Sequence, residues 1–208
     1  MNYLEELNAP QREAVTYTDG PMLIIAGPGS GKTRVLTYRI AYLMEQGLDP
    51  FSILSLTFTN KAAQEMRERI TKIVGEQARS IFMGTFHSVF ARILRVEAPR
   101  LGFPSNFTIY DTVDAKSVIK NIIKSQGLDE KVYKPNNVYY RISAAKNDLI
   151  TAQQYANNPD LIGEDAASGK PKLSAIYSLY SQKCFENGAM DFDDLLLNFY
   201  RLLKLFPD

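Results

Sequence analysis

The spacing of apolar residues changes character along this chain. Over the first hundred or so positions, short apolar runs at 22–25, 53–58 and 81–83 alternate with stretches at 33–46, 60–74 and 88–100 in which apolar side chains recur every three or four residues. Runs of the first kind read as buried strands and stretches of the second kind as amphipathic helices. In the stretch 60–74, Ala62, Ala63, Met66, Ile70 and Val74 share one side, Glu65, Arg67, Glu68 and Arg69 fill the other, and Gly75 ends the pattern. Strand-helix alternation predicts an α/β fold with a parallel sheet and crossover helices.

After Gly102-Phe103-Pro104 the helical period dominates, at 114–125, 136–148 and 172–187, with no clear β-run beyond 107–110. Residues 105–190 therefore read as an all-helical insertion, whose Asn-, Asp-, Gly-, Ser- and Pro-rich middle, 157–171, predicts a loop. From Asp191-Phe192-Asp193-Asp194 a last helix runs to Phe206, with Leu195, Leu196, Phe199, Leu202 and Leu203 apolar. Carboxylates suit a helix N-terminus without any ion, and that reading is preferred here to a metal site.

Composition narrows the classes. The 208 residues suffice for one core or a core with a satellite, and a net charge of +1 argues against coating nucleic acid through overall charge, so any such binding is local. Cys184 is the single cysteine and His87 the single histidine, which excludes an internal disulfide and a cysteine-built zinc site. The N-terminal Met1-Asn2-Tyr3-Leu4-Glu5-Glu6 lacks a basic and apolar leader, and no apolar run approaches spanning length, so a soluble, cytoplasmic protein without a membrane partner is expected.

The chemistry begins at residues 26–33, A-G-P-G-S-G-K-T, between a strand-like run and a helical pattern. A glycine-rich turn can aim successive backbone N–H groups at phosphate oxygens, and the following helix adds its positive end. Lys32 is placed to bridge terminal phosphates and the Thr33 hydroxyl to hold Mg²⁺. Ala26 stands where the usual pattern begins with Gly, but Gly27, Gly29 and Gly31 keep the permissive backbone. An ordinary Gly-rich turn would explain the glycines and not the Lys-Thr pair.

Two further stretches lie at strand ends, the ligand edge of an open α/β sheet. The first is Thr57-Phe58-Thr59-Asn60-Lys61 and the second Gly84-Thr85-Phe86-His87-Ser88. Phe58 offers a stacking face and its polar neighbours offer phosphate contacts, a combination suited to single-stranded nucleic acid. Taken alone, Phe58 could equally finish the core while Asn60 caps a helix; the second edge shifts the balance. For His87 a phosphate or sugar contact stands against simple capping by Thr85 or Ser88. Gln11 has the donor and acceptor to read an adenine edge, although a solvent-facing helix residue accounts for it as well.

Together these stretches resemble the N-terminal part of the UvrD/Rep/PcrA-type superfamily one DNA helicases, over essentially the whole chain. Leu7-Asn8-x-x-Gln11 is similar to the family's Q motif, residues 26–33 to motif I, 57–63 to motif Ia, 84–88 to the adjoining DNA-contacting motif, and 191–196 to the stretch ahead of motif II. The resemblance implies a RecA-like P-loop parallel sheet with helices on both faces, domain 1A, over 1–104 and 191–208, interrupted by a helical domain 1B over 105–190. It implies an ATP-driven motor moving 3′ to 5′ along single-stranded DNA and opening duplex junctions, with ATP and Mg²⁺ as cofactors. ATP contacts would come from Gln11, Ala26, Gly27, Pro28, Gly29, Ser30, Gly31, Lys32 and Thr33, with Lys32 and Thr33 catalytic. DNA contacts would come from Thr57, Phe58, Thr59, Asn60, Lys61, Thr85, Phe86 and His87.

Motif II of that family, an Asp-Glu pair ending an apolar strand, is expected beyond residue 208, and Asp129-Glu130 in a polar loop is no substitute. The second RecA-like domain is expected there too, so the chain reads as an N-terminal fragment that is catalytically inactive alone. Two other classes remain open. A complete small P-loop nucleotide kinase would need a basic lid segment that is not apparent, and it leaves the Thr-Phe-Thr-Asn-Lys edge unexplained. A non-motor NTP-binding DNA-interaction module is told apart by whether the parent protein encodes motif II and a second RecA-like domain.

Overall fold

The computed structural model describes residues 3–207. Met1 and Asn2, which begin the expected leaderless N-terminus, and Asp208, which ends the expected return segment, lie outside the described residues. The chain divides after Val89 into two compact units.

The first unit contains helix α1 (Ala9–Thr16), α2 (Lys32–Glu45), strand β1 (Leu54–Thr57), α3 (Asn60–Val74), β2 (Phe82–Thr85) and the start of α4 (Phe86–Glu97). Helix α3 is the crossover of a parallel pair in which Leu54 lies opposite Phe82 and Thr57 opposite Thr85. It forms where the period predicts: Ala63, Met66 and Ile70 are its buried residues, and Gly75 ends it at a φ of 71°, a conformation that favours glycine. Met66 and Ile70 pack with Ile40 of α2 and with Ile53, Ile81 and Met83 around the strands. A smaller cluster of Leu7, Val15 and Val35 joins α1 to α2.

One expected strand is not formed. Residues 22–25 carry no ladder, and Leu23 and Ile25 are 85% and 90% exposed. An apolar run of this kind becomes a buried strand only with neighbours on the sheet. Among the described residues the sheet here contains β1 and β2 alone.

In the second unit the remainder of α4 is followed by β3 (Thr108–Tyr110), α5 (Thr112–Ser125), α6 (Pro135–Asn147), α7 (Ala152–Ala156), α8 (Pro159–Ala167), α9 (Leu173–Glu186), β4 (Ala189–Asp191) and α10 (Phe192–Leu205). β3 and β4 pair in parallel, with Thr108 opposite Ala189 and Tyr110 opposite Asp191. Two cores form in this unit. One is built wholly from residues between Ala115 and Cys184, including Ile119, Ile123, Ile142, Ile176 and Tyr180. The other combines Leu94, Ala98, Phe103 and Phe107 with Met190, Leu195 and Leu202.

Two expectations are corrected here. The segment 157–171, expected as a loop, contains α8, because Asn158 caps the helix by accepting from the N–H groups of Asp160 and Leu161 and Pro159 occupies its first turn. β4 also escapes the periodicity, since three residues are too few to alternate visibly and the strand exists through its pairing with β3.

Asp191 caps α10 as expected, accepting from the Asp194 N–H while the Asp194 carboxylate accepts from the Asp191 N–H. The sequence did not reveal the partner of these acids. The Lys146 ammonium, wholly buried on α6, lies 2.7 Å from both Asp191 and Asp194, and the Tyr180 hydroxyl donates to Asp191 at 2.7 Å. Burial and the neighbouring Asp191 push Asp194 up to about 6 against the pull of Lys146. Burial opposes ionisation of Asp191 as well, yet the charge and hydrogen bond of Lys146 hold it below the ordinary carboxylate value.

Candidate nucleotide and nucleic-acid sites

Two sites take shape in the first unit. At the first, Gly29 and Gly31 adopt φ of 74° and 82°, the left-handed region that glycine enters without penalty. Gly31 sits at the N-cap of α2 and offers no side-chain acceptor, so the first N–H groups of the helix face outward beside Lys32 and Thr33. The Lys32 ammonium reaches back over the loop, donating to the carbonyls of Ala26 at 2.9 Å and Gly27 at 2.7 Å. The Ser30 hydroxyl donates to the Gly27 carbonyl at 2.7 Å and tightens the turn. This set of backbone donors, an exposed ammonium and an uncapped helix start fits a polyphosphate.

Gln11 reaches the loop in a way the sequence did not reveal. Its side-chain amide donates to the Ser30 carbonyl at 2.9 Å, and its oxygen accepts from the Asn8 N–H at 3.1 Å in the capping box of α1. The residue expected to read adenine thus also ties α1 to the phosphate loop. A Cβ on Gly31 would stand 3.0 Å from the Gln11 amide nitrogen, so the contact is close.

A cleft of about 600 Å³ opens at this point, lined by Asn8, Gln11, Gly29–Arg34 and Arg69. Arg69 was missed in the sequence because its position on the polar side of α3 is that of any solvated arginine. The fold brings it to the same cleft as the phosphate loop, together with Arg34. Thr33 lies in the first turn of α2 with an exposed side chain. No group of three or more His, Cys, Asp or Glu able to hold a metal ion occurs among the described residues.

At the second site the register of β1 and β2 sets Thr57 beside Thr85, so the residues that follow emerge together. Phe58 is 93% exposed, and its ring centroid lies 5.8 Å from that of Phe86. Thr59, rather than Asn60, caps α3, its hydroxyl accepting from the Ala62 N–H at 3.1 Å. Asn60 and Lys61 are exposed in the first turn. Thr57 is buried and its hydroxyl donates to the carbonyl of Thr59 at 3.1 Å, which makes it a brace of the edge. Thr85 caps the start of α4 through the Ser88 N–H at 3.3 Å, and His87 is half-buried.

A phosphate loop opening a helix beside parallel strands defines the class of P-loop α/β proteins. A sequence profile described as the UvrD/REP helicase N-terminal domain matches residues 7–208, and the chain belongs to that family. It is 46% identical over 206 residues to an ATP-dependent DNA helicase PcrA of Staphylococcus aureus, covering 99% of this chain and 27% of that protein. It is 46% identical over 213 residues to the protein of the same description from Staphylococcus epidermidis, covering 100% of this chain and 28% of that protein. The chain therefore spans little more than a quarter of these relatives. Its mixed α/β structure, mostly helical with short parallel strands, is that of an incomplete RecA-like N-terminal helicase domain. No described helix is long and apolar enough to cross a membrane.

Proposed function

We propose that this chain is the nucleotide- and single-strand-gripping part of an ATP-driven DNA helicase that moves 3′ to 5′ along one strand toward duplex junctions. The observation that carries the reading is the presence, in one compact unit, of a phosphate-loop cleft and of a phenylalanine 93% exposed at the carboxyl end of a parallel strand. What supports the reading is where the ring stands: at the ligand edge of the sheet, beside the exposed Asn60 and Lys61 of the first turn of α3.

In this reading the backbone of Ala26, Gly27, Pro28, Gly29, Ser30 and Gly31 cradles the phosphates of ATP, and Lys32 exchanges its loop carbonyls for their oxygens. Gln11 holds the loop and faces the base, while Thr33 contributes a hydroxyl to Mg²⁺. Phe58 stacks on a base, and Thr59, Asn60, Lys61, Thr85 and His87 lie along the backbone track. Lys32 and Thr33 are the residues we assign to catalysis, completed by a second RecA-like domain of the same protein. A cytoplasmic location, with work on DNA in repair or unwinding, belongs to the same proposal.

Residues 1–104 and 191–208 then form the RecA-like domain 1A, and 105–190 the inserted domain 1B. What supports this partition is the core contained between Ala115 and Cys184, entered through β3 and left through β4. Calorimetry with ATP and anisotropy with oligothymidylate test the function on the whole protein. Lys32→Ala should weaken nucleotide binding markedly and leave DNA binding in place. Phe58→Ala should cost about 1–3 kcal/mol of single-strand binding. Unchanged affinities in both variants would defeat the reading.

A further inference from the structure

Phe58 poses a physical difficulty for its own role. A side chain 93% exposed, in the bend between β1 and α3, is not fixed by burial, and an unfixed ring must give up rotamer freedom each time a base stacks on it. We propose that Phe86 is a positioning residue that holds the Phe58 ring upright for stacking and does not itself touch the strand. This rests on the reading of Phe58 given above.

The geometry supports it at each step. Phe86 is the first residue of α4, and the start of that helix is locked. The Ser88 hydroxyl donates to the Thr85 carbonyl at 2.9 Å, and the Thr85 hydroxyl accepts from the Ser88 N–H. Gly84, lacking a Cβ, allows Ser88 and Val89 to close onto β2. The register Thr57–Thr85 then sets the Phe86 ring, carried on this held backbone and itself 36% exposed, beside Phe58, at 5.8 Å between centroids and tilted by 49°. Tilted aromatic pairs attract through the edge of one ring and the face of the other. The contact at this tilt leaves nearly the whole Phe58 ring open.

A double-mutant cycle on the whole protein, read by fluorescence anisotropy with oligothymidylate, tests the proposal. Phe58→Ala should weaken binding by about fivefold to 150-fold. Phe86→Ala should weaken it by about twofold to tenfold when Phe58 is present and have no effect in the Phe58→Ala background. Phe86→Tyr, which keeps the ring, should bind as the parent does. On an abasic oligodeoxynucleotide the effect of Phe86→Ala should vanish, which a general loss of structure would not produce. Phe86→Leu, keeping bulk without a ring, serves as the second variant if Phe86→Ala disturbs folding, and the same cycle applies to it.

An equal cost of Phe86→Ala with and without Phe58, or on abasic strand, would overturn the proposal and leave the Phe58 reading standing. No effect of Phe58→Ala would overturn both.

Discussion

Gly84 lies buried beneath the first turn of α4, and a Cβ there would stand 2.5 Å from the Ser88 hydroxyl oxygen and 3.1 Å from a Val89 methyl. Ser88 could rotate away only by surrendering its bond to the Thr85 carbonyl. Gly84→Ala should therefore destabilise the fold by about 1–3 kcal/mol, the scale of overpacking. Chemical denaturation should show part of that loss recovered in the Ser88→Ala background, where the closest clash is gone. At this scale the sequence was legible where backbone chemistry dictates the residue. The turn at Gly29 and Gly31 could be read because backbone in the left-handed region favours glycine. Arg69, Thr57 and the second duty of Gln11 could not, because their roles depend on contacts made across the fold.

Helices and strands differed in how plainly they could be read. α3 was visible because a single face buries Ala63, Met66 and Ile70 at helical spacing. α8 was hidden because Asn158 and Pro159 are residues of turns and of helix starts alike, and composition does not tell the two apart. The cluster joining α6 to α10 gives this scale its predictions. Lys146→Ala would leave the carboxylates of Asp191 and Asp194 buried without their cation, and urea unfolding should report a loss of about 3–5 kcal/mol. The raised value of Asp194 sets a pH dependence of opposite sense to that of an ordinary salt-bridged acid. Between about 4, the unfolded value, and about 6, the folded chain binds more protons at this site than the unfolded one. Its stabilising contribution is full below that window and is lost as pH rises through it. Thermal midpoints of Asp194→Asn and the parent should diverge in the variant's favour from about pH 4 to about pH 6 and stay parallel above.

For the molecule as a whole, an ATP site needs a carboxylate to help hold the metal and a group to place the attacking water. The cleft at the phosphate loop is lined by Lys32, Arg34, Arg69, amides and hydroxyls, with no carboxylate among them. The 208 residues alone should accordingly release phosphate from ATP at least about 1,000-fold more slowly than a whole motor, a factor that loss of an arginine acting in the transition state can cause by itself. A steady-state phosphate assay with Lys32→Ala as the control decides this, and robust Lys32-dependent turnover would refute it. The expected strand at 22–25 belongs to the same scale. Its sequence is that of a sheet interior, and no reading of local pattern reveals whether neighbours are at hand to make it one.

The parallel pairing of β3 with β4 brings the chain back beside its own point of departure. A segment whose two ends already touch imposes little on the structure it leaves, since closing a long excursion costs scarcely more than closing a short one. The loops between Tyr110 and Ala189 can in that sense lengthen without rethreading the rest, whereas the stretch as a whole is moored, like a boat on a short line, by Lys146 and Tyr180 to the start of α10.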